Sequence, residues 1–157
     1  MTDATEKLER VSEVIGLTLT THGGKMQSKT RLINLLYLID LHFARNFGSP
    51  LTGLEYRSYF YGPYPESIDS VLEYLRSSGF LKITQEKDAE TGRLYYTFKL
   101  LDLPQFGRLT VKEEEEIRKI ASQYVYNLTD DILEKVYETK EYIKTPFGEV
   151  INFGGAL

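Results

Sequence analysis

The sequence predicts an α+β fold that is mainly helical, and three observations support this prediction. The 157-residue chain contains 41% hydrophobic and 27% charged residues, a composition typical of a globular protein. Apolar residues recur at helical spacing along several stretches, and the most apolar stretch, at 32–47, indicates a central buried helix. Two extended runs around the turn-rich residues 88–92 predict a β-hairpin. The length fits a single domain over 1–157, with a core over 5–101 and a helical part over 109–143.

The first two predicted helices are separated by a turn at the double glycine 23–24. Helix one is expected to begin near Asp3, which has capping-box spacing to Glu6. Ser28 is the expected N-cap of helix two, and Gly48 is expected to end that helix in a left-handed conformation. Because apolar residues cover most of the circumference of helix two, we expect it to lie at the centre of the core.

An aromatic-rich strand and a third helix are predicted next. The strand is expected over residues 55–61, with Tyr59 and Tyr61 on one face. Pro63 and Pro65 are expected to stop the strand, and Pro65 is expected to occupy the first turn of the third helix. The apolar residues of this helix follow the i, i+3, i+4, i+7 pattern and are Ile68, Val71, Leu72 and Leu75.

The third helix is expected to end at Gly79, and residues 80–86 and 93–101 then form the predicted hairpin. A helix followed by a twisted hairpin is the sequence outline of a winged helix, which indicates a fold and not a function. Two more helices are predicted in the C-terminal part. The first opens with a capping box at 110–113, and the second is expected to be capped by Thr129.

Composition excludes several classes of function. A chain without cysteine has no disulfide, thiolate nucleophile or cysteine-ligated metal site, and its two histidines, His22 and His42, match no metal-binding or catalytic motif. We therefore expect a protein that is not an enzyme and that needs no metal or other cofactor. The polar N-terminus does not resemble a secretory signal, and the stretch at 32–47 is too short and too polar to span a bilayer. We expect a cytoplasmic protein without a membrane partner.

Electrostatics disfavour nucleic acid as a partner, because a formal net charge of −4 gives no global attraction to phosphate. Four cations are placed where they could contact phosphates: Lys25, Lys29, Arg31 and Arg93. The third helix would read bases in a winged helix, and it carries three carboxylates and one arginine: Glu66, Asp69, Glu73 and Arg76. A winged-helix DNA-binding transcription regulator is therefore the alternative function.

Three short motifs lie in order along the middle of the chain. They are Leu-Leu-Tyr-Leu-Ile-Asp at 35–40, Gly-Ser-Pro-Leu-Thr-Gly at 48–53 and Tyr-Gly-Pro-Tyr-Pro at 61–65. Their order and spacing resemble the central signature of the Panacea (SocA-like) antitoxin family, and the resemblance extends over 32–79. It implies a mixed α/β, largely helical domain. It also implies the antitoxin half of a toxin–antitoxin pair, which neutralises a nearby-encoded toxin by direct contact.

The chain also departs from the family pattern. Members often carry a histidine and a following tryptophan near the last helix, where this chain has Thr139-Lys140 and Pro146-Phe147. The residues that match the signature are expected to be structural, since glycine permits backbone angles that side chains oppose and proline stiffens turns. This structural set comprises Tyr37, Asp40, Gly48, Pro50, Thr52, Gly53, Gly62, Pro63 and Pro65.

Asp40 lies in a nearly all-apolar helix, so its carboxylate must be paired or hydrogen-bonded to offset the cost of leaving water. Two candidates for its partner are the side chain of Arg57 and the backbone of the turn at 50–53. Either partner would make Asp40 a structural clamp. A ligand-binding role for Asp40 is the other interpretation.

The density of tyrosine is the feature that backbone geometry does not explain, since four tyrosines fall within nine residues beside Phe60. Tyrosine offers a large rigid ring and a hydroxyl, and it is enriched at protein interfaces. We predict a partner-binding surface formed by Tyr56, Tyr59, Tyr61, Tyr64 and Arg57, with packing in the core as the alternative for each tyrosine. The expected function is an antitoxin-like module that neutralises or escorts a protein partner by direct contact. The identity of that partner and the oligomeric state stay open.

Overall fold

The computed structural model describes residues 2–154, which form six helices and five strands. In chain order the elements are α1 (Thr2–Thr21), β1 (Lys25–Met26), α2 (Lys29–Phe47), β2 (Tyr56–Tyr59), β3 (Gly62–Pro65), α3 (Ile68–Ser77), β4 (Leu81–Lys87), β5 (Leu94–Leu100), α4 (Val111–Ser122), α5 (Thr129–Tyr137) and α6 (Lys140–Ile143). Strands β1, β5 and β4 form one sheet in that order, and β2 pairs with β3 in a second, two-stranded sheet. The predicted mainly helical α+β class is confirmed.

Helix α2 forms the centre of the core, because its side chains from Leu32 to Leu41 are all buried. It contacts α1, α4, α5 and β3. Both predicted ends are confirmed: Ser28 Oγ accepts a hydrogen bond from the backbone N–H of Arg31 at 3.0 Å, and Gly48 has a left-handed φ of 93°. Within residues 2–154, no helix combines the length and the apolar character needed to cross a lipid bilayer.

Of the two predicted helix starts in the N-terminal half, the first agrees with the structure and the second is corrected. Helix α1 begins at Thr2, one residue from the predicted Asp3, and Asp3 lies inside the first turn, where its negative charge interacts favourably with the positive end of the helix dipole. Helix α3 begins at Ile68 and not at Pro65, because Pro65 is the last residue of strand β3. The end of α3 agrees with the prediction, since Gly79 follows it with a φ of 86°.

The starts of the C-terminal helices agree in part with the prediction. The capping box of α4 is confirmed, because the N–H of Glu113 donates to Thr110 Oγ1 at 3.1 Å and the N–H of Thr110 donates to Glu113 Oε1 at 2.9 Å. Thr129 is not the cap of α5 but its first residue. The residue before it, Leu128, donates its N–H to the carboxylate of Asp131 at 3.2 Å. The short helix α6 was not predicted.

The predicted β4–β5 hairpin is confirmed, and a third strand extends its sheet. Strand β1 pairs with β5 so that Met26 lies opposite Phe98, and both side chains are buried in the core. In the β4–β5 pair, Phe98 lies opposite Ile83. A strand of two residues is too short to show the alternation of apolar and polar positions that predicts strands, which explains why β1 was not predicted.

A buried carboxylate joins α1 to the loop before α4. Glu13 is 5% exposed, and its two oxygens accept three backbone hydrogen bonds: from the N–H of Phe106 at 2.6 Å, of Gly107 at 3.1 Å and of Arg108 at 2.9 Å. Charge-assisted hydrogen bonds of this kind are stronger than neutral ones. Glu13 therefore fixes the path of the chain where it turns into the C-terminal helices.

The position of His22 predicts that stability depends on pH. The ring Nε2 lies 3.1 Å from the backbone oxygen of Ala121. Burial lowers the pKa of His22 below its ordinary value of 6.5, the hydrogen bond to Ala121 opposes this, and the charge of Arg31 adds to it. As the pH falls through 6.5, the unfolded chain therefore takes up this proton before the folded protein does, and the free energy of unfolding decreases.

Urea unfolding at about pH 7.5 and about pH 5.5 checks this prediction. His22→Gln keeps an N–H donor for the carbonyl of Ala121 but does not titrate. We therefore expect a smaller loss of stability on acidification in this variant than in the wild type. The same loss in both proteins would contradict the assignment to His22.

Candidate functional site

Four hydrogen bonds hold Asp40 in the centre of the protein. Its Oδ1 accepts from the backbone N–H of Leu51 and of Thr52, each at 2.8 Å. Its Oδ2 accepts from the hydroxyl of Thr52 at 2.6 Å and from the phenol of Tyr56 at 2.7 Å. We call Asp40, Leu51, Thr52 and Tyr56 the Asp40 clamp. The turn predicted as the partner of Asp40 is confirmed.

Burial raises the pKa of Asp40 above its ordinary value, and the four donors oppose this effect because they favour the charged form. Burial also raises the pKa of Tyr56, and the neighbouring charge of Asp40 adds to that rise. The hydroxyl of Thr52 accepts the N–H of Leu54 at 3.0 Å, so its own proton is directed to Asp40. These contacts tie α2, the turn and β2 into one unit.

Arg57 does not contact Asp40, so its interpretation as the partner of that carboxylate is wrong. Its Nε donates to Glu66 Oε1 at 2.6 Å, and its Nη1 donates to the backbone carbonyl of Gly148 at 3.0 Å. Successive side chains of a strand point to opposite faces, so Arg57 lies on the other face of β2 from Tyr56.

The other signature residues lie around the clamp. Tyr37 is fully buried, its ring packs edge-on against the ring of Tyr56 with centroids 5.6 Å apart, and its hydroxyl lies 2.9 Å from Thr139 Oγ1. Burial raises the pKa of Tyr37 to about 12, so its phenol stays neutral. Pro50 begins the turn and Gly53 ends it with a φ of 78°.

Strands β2 and β3 form a hairpin where a single strand was predicted. Pro63 lies opposite Ser58 and Pro65 lies opposite Tyr56, so the prediction that these prolines stop the strand is wrong. The backbone groups of Ser58 and Tyr56 bond to residues 148–151 on the other side of β2. Because proline has no N–H, it fits at strand positions whose N–H faces away from the partner strand.

Gly62 starts β3 at a place where only glycine fits. Its φ is 101°, and a Cβ on this residue would lie 2.7 Å from Asn34 Oδ1. Both the backbone conformation and the close approach of α2 therefore require glycine. The left-handed backbone of Gly62 and its close approach to Asn34 together account for the structural role predicted for this glycine.

The four tyrosines of the predicted surface are exposed to different degrees. Tyr56 is fully buried in the Asp40 clamp, so it offers no surface to a partner and belongs to the structural set. Tyr59 and Tyr64 are half-buried, with ring centroids 6.4 Å apart. Tyr61 is 76% exposed. Three of the four predicted rings therefore reach the surface.

Two phenylalanines complete this surface. Phe60, in the turn of the hairpin, is 77% exposed, and Phe147 is 59% exposed. Their ring centroids lie 4.5 Å apart, and the ring of Tyr59 lies 5.5 Å from that of Phe147. The sequence places Phe60 beside the tyrosines, but Phe147 is too distant along the chain for a local pattern to connect the two residues. We call Tyr59, Phe60, Tyr61, Tyr64 and Phe147 the hairpin surface.

Two phenols from the C-terminal helices hold the turn of the hairpin in place. Tyr137 donates its hydroxyl to the backbone carbonyl of Phe60 at 2.9 Å, and Tyr142 donates to that of Tyr59 at 2.6 Å. The two phenol rings pack together with centroids 5.4 Å apart. The exposed rings thus stand on a fixed backbone, which reduces the entropy lost when a partner binds.

Two of the four candidates for phosphate contacts, Lys29 and Arg31, have partners within the protein, and so does Arg76, the arginine of the third helix. Lys29 Nζ lies 2.5 Å from Asp69 Oδ1, and Arg76 forms an ion pair with Glu73 at 2.5 Å. Arg31 donates to two backbone carbonyls of the loop between α4 and α5. These ion pairs and hydrogen bonds reduce the positive charge available to nucleic acid.

Fold and site together define a small, mainly helical α+β domain with a buried carboxylate clamp and an anchored aromatic surface. The family model described as "Antitoxin SocA-like, Panacea domain" matches residues 32–143, more than half of the chain. The chain therefore belongs to this family of antitoxin-like domains. No curated protein and no solved structure matches it significantly. The matched segment contains the Asp40 clamp and the β2–β3 hairpin, whereas Phe147 lies beyond it.

Proposed function

We propose that this protein is an antitoxin-like module that binds a protein partner, a toxin encoded nearby, through the hairpin surface and neutralises or escorts it by direct contact. Membership of the antitoxin-like family supports the role. One observation supports this contact surface: the exposed rings of Phe60 and Phe147, which contact each other with a tilted geometry on an anchored hairpin. Large rigid aromatic side chains dominate the binding energy of many protein interfaces.

We propose that binding proceeds without catalysis by this chain. The carboxylate of Asp40 already accepts four hydrogen bonds, so it has little capacity left to take a proton from a substrate. The Nε2 of His42 lies 2.8 Å from Glu116 Oε1, and its Nδ1 lies 3.2 Å from the amide nitrogen of Asn46. The carboxylate of Asp40 and the imidazole of His42 are therefore both engaged in contacts within the protein.

Co-expression with the product of the neighbouring gene tests the proposal. We expect the neighbour to inhibit growth when expressed alone, and this chain to relieve the inhibition and to co-purify with it. Growth inhibition that this chain does not relieve, with no complex after purification, would contradict the proposal.

The double variant Phe60→Ser and Phe147→Ser is expected to weaken the complex at least about tenfold, because both exposed rings are removed from the proposed interface. Its stability should change by less than about 1 kcal/mol, since exposed side chains contribute little. Tyr126→Ser is the matched control, because Tyr126 is 99% exposed but lies in the loop between α4 and α5. Calorimetric titration measures both affinities. Equal affinity of the double variant and the control would exclude the hairpin surface.

A winged-helix DNA-binding regulator is the second candidate function. It is favoured by the position of α3 directly before the β4–β5 hairpin, whose connecting loop contains Arg93. It ranks below the first because the carboxylates of Asp69 and Glu73 on α3 neutralise Lys29 and Arg76, which leaves this helix little positive charge to attract phosphate. A gel-shift experiment at low and high salt separates the two candidates. Absence of binding at low salt would exclude this one.

A further inference from the structure

Three lysines form a row across the sheet of β1, β5 and β4. Lys99 on β5 lies directly opposite Lys25 on β1 and directly opposite Lys82 on β4. The side chains of directly opposite residues lie on the same face of a sheet, with Cβ atoms about 4.5–5.5 Å apart. All three side chains are exposed. We call Lys25, Lys82 and Lys99 the lysine row.

The lysine row lies on the outer face of this sheet. Successive side chains of a strand point to opposite faces, and the neighbours of the three lysines along their strands pack in the core: Met26, Ile83 and Phe98. Helix α3 packs on this inner face, because its Leu72 lines a small cavity together with Ile83 and Phe98. The lysine row therefore points away from α3.

No carboxylate neutralises the lysine row. Within residues 2–154, none of the three lysines forms an ion pair. Glu86 is on the same face of β4, but it lies about 13 Å from Lys82 along the strand. Its carboxylate accepts the phenol hydroxyl of Tyr95 at 2.9 Å. The row is thus a local concentration of positive charge on a chain whose formal net charge is −4.

Protection of sheet edges explains only part of the lysine row. Strands β1 and β4 are the edges of the sheet, where a lysine hinders pairing with another chain. Lys99 lies on the central strand β5, so it protects no edge. Like charges that lie directly opposite each other destabilise a sheet, and Lys99 has one on each side. An anionic partner would remove this cost, which indicates a binding surface.

The position and the spacing of the lysine row favour the carboxylates of a protein over the phosphates of DNA. A winged helix would read DNA through α3, which packs on the other face of the sheet from the row. Three carboxylates at positions i, i+4 and i+7 of a helix span about 10 Å. A row across three strands also spans about 10 Å.

We propose that the lysine row binds an acidic segment of a partner protein, whose carboxylates form ion pairs with the three ammonium groups. The partner supplies the negative charge that this face of the sheet lacks. The surface is separate from the hairpin surface, which is built on the β2–β3 sheet. The inference therefore goes beyond the proposed function and does not depend on it.

Two helical peptides are the matched probes. One carries glutamate at three positions spaced i, i+4 and i+7, and the other carries glutamine at the same positions. At about 20 mM salt we expect the glutamate peptide to bind at least about fivefold more tightly and to shift the NMR signals of the amides of Lys25, Lys82 and Lys99. At about 0.5 M salt this preference should largely disappear, because salt screens exposed charges.

Lys99→Gln removes the central charge of the row and should weaken binding of the glutamate peptide at least about threefold. Lys135→Gln is the matched control, because Lys135 is exposed on α5, away from the sheet. It should leave the affinity for the peptide unchanged. A DNA duplex of about 12 base pairs is the competing probe and should bind more weakly than the glutamate peptide.

The repulsion within the row can be tested without a ligand. We expect Lys99→Gln to raise the urea concentration at the midpoint of unfolding at low salt, because it removes two contacts between like charges. This gain should shrink at high salt. Lys135→Gln should show no gain, since Asp131 lies four residues before Lys135 on the same helix and carries the opposite charge.

Four results would overturn the inference: equal binding of the two peptides at low salt, an affinity for the glutamate peptide that Lys99→Gln leaves unchanged, no gain in the urea midpoint for Lys99→Gln, or tighter binding of the DNA duplex than of the glutamate peptide. Each experiment uses the isolated chain without its partner. A failure here is thus distinct from a failure of co-purification with the neighbouring gene product.

Discussion

Replacing Asp40 with asparagine is expected to lower the free energy of unfolding by about 3–5 kcal/mol, because the exchange leaves two buried donors without an acceptor and each such donor costs about 1–3 kcal/mol. The carboxylate accepts two hydrogen bonds on each of its oxygens, from the backbone of Leu51 and Thr52 and from the hydroxyls of Thr52 and Tyr56. An asparagine amide accepts only through its oxygen. Its amino group must therefore face either two backbone N–H groups or two hydroxyl donors.

Urea unfolding of Asp40→Asn measures this loss, with Asp69→Asn as the matched control. The side chain of Asp69 is 68% exposed and its ion pair with Lys29 lies at the surface, so we expect a loss below about 1 kcal/mol. A loss for Asp40→Asn no larger than that of the control would show that the Asp40 clamp does not stabilise the fold.

Replacing Glu13 with glutamine is expected to cost about 2–3 kcal/mol, because hydrogen bonds to a charged acceptor are the most stabilising ones. The three N–H donors of Phe106, Gly107 and Arg108 approach both oxygens of Glu13. Glutamine keeps one acceptor oxygen and places an amino group against the remaining donor or donors. The loop before α4 should therefore loosen.

Amide hydrogen exchange at Phe106, Gly107 and Arg108 provides a local test of this prediction, in addition to urea unfolding. We expect faster exchange at these three amides in Glu13→Gln. Glu115→Gln is the control, since Glu115 is exposed on α4 and its replacement should change stability by less than about 0.5 kcal/mol. Unchanged exchange at the three amides would refute the role of Glu13.

Those parts of the fold that depend on local chemistry could be predicted from the sequence. The hydroxyl of Ser28 and the left-handed backbone of Gly48 mark the two ends of α2, and both signals are visible in the chain itself. The β2–β3 hairpin could not be predicted in this way. Prolines normally interrupt strands, but Pro63 and Pro65 lie opposite Ser58 and Tyr56, whose backbone groups bond to residues 148–151, so β3 needs no N–H at either position.

In the candidate site, too, features that depend on neighbouring residues could be predicted, whereas contacts between residues distant in sequence could not. The carboxylate of Asp40 in an apolar helix indicated a clamp, and the turn was one of the two expected partners. The burial of Tyr56 also had a signal, because Tyr56 and Tyr59 are an odd number of residues apart and must face opposite sides of a strand. Phe147 had no such signal, since its contact with Phe60 depends on the tertiary fold.

Residues 148–151 belong to the same structural unit as the β2–β3 hairpin, although they lie beyond the family match. Glu149 accepts the N–H of Ser58, and Ile151 donates to the carbonyl of Tyr56, so the segment covers the open side of the tyrosine-rich strand β2. The family match stops at 143. A fragment cut there would retain every signature residue yet expose a bare strand edge, the kind of surface along which identical molecules join into aggregates.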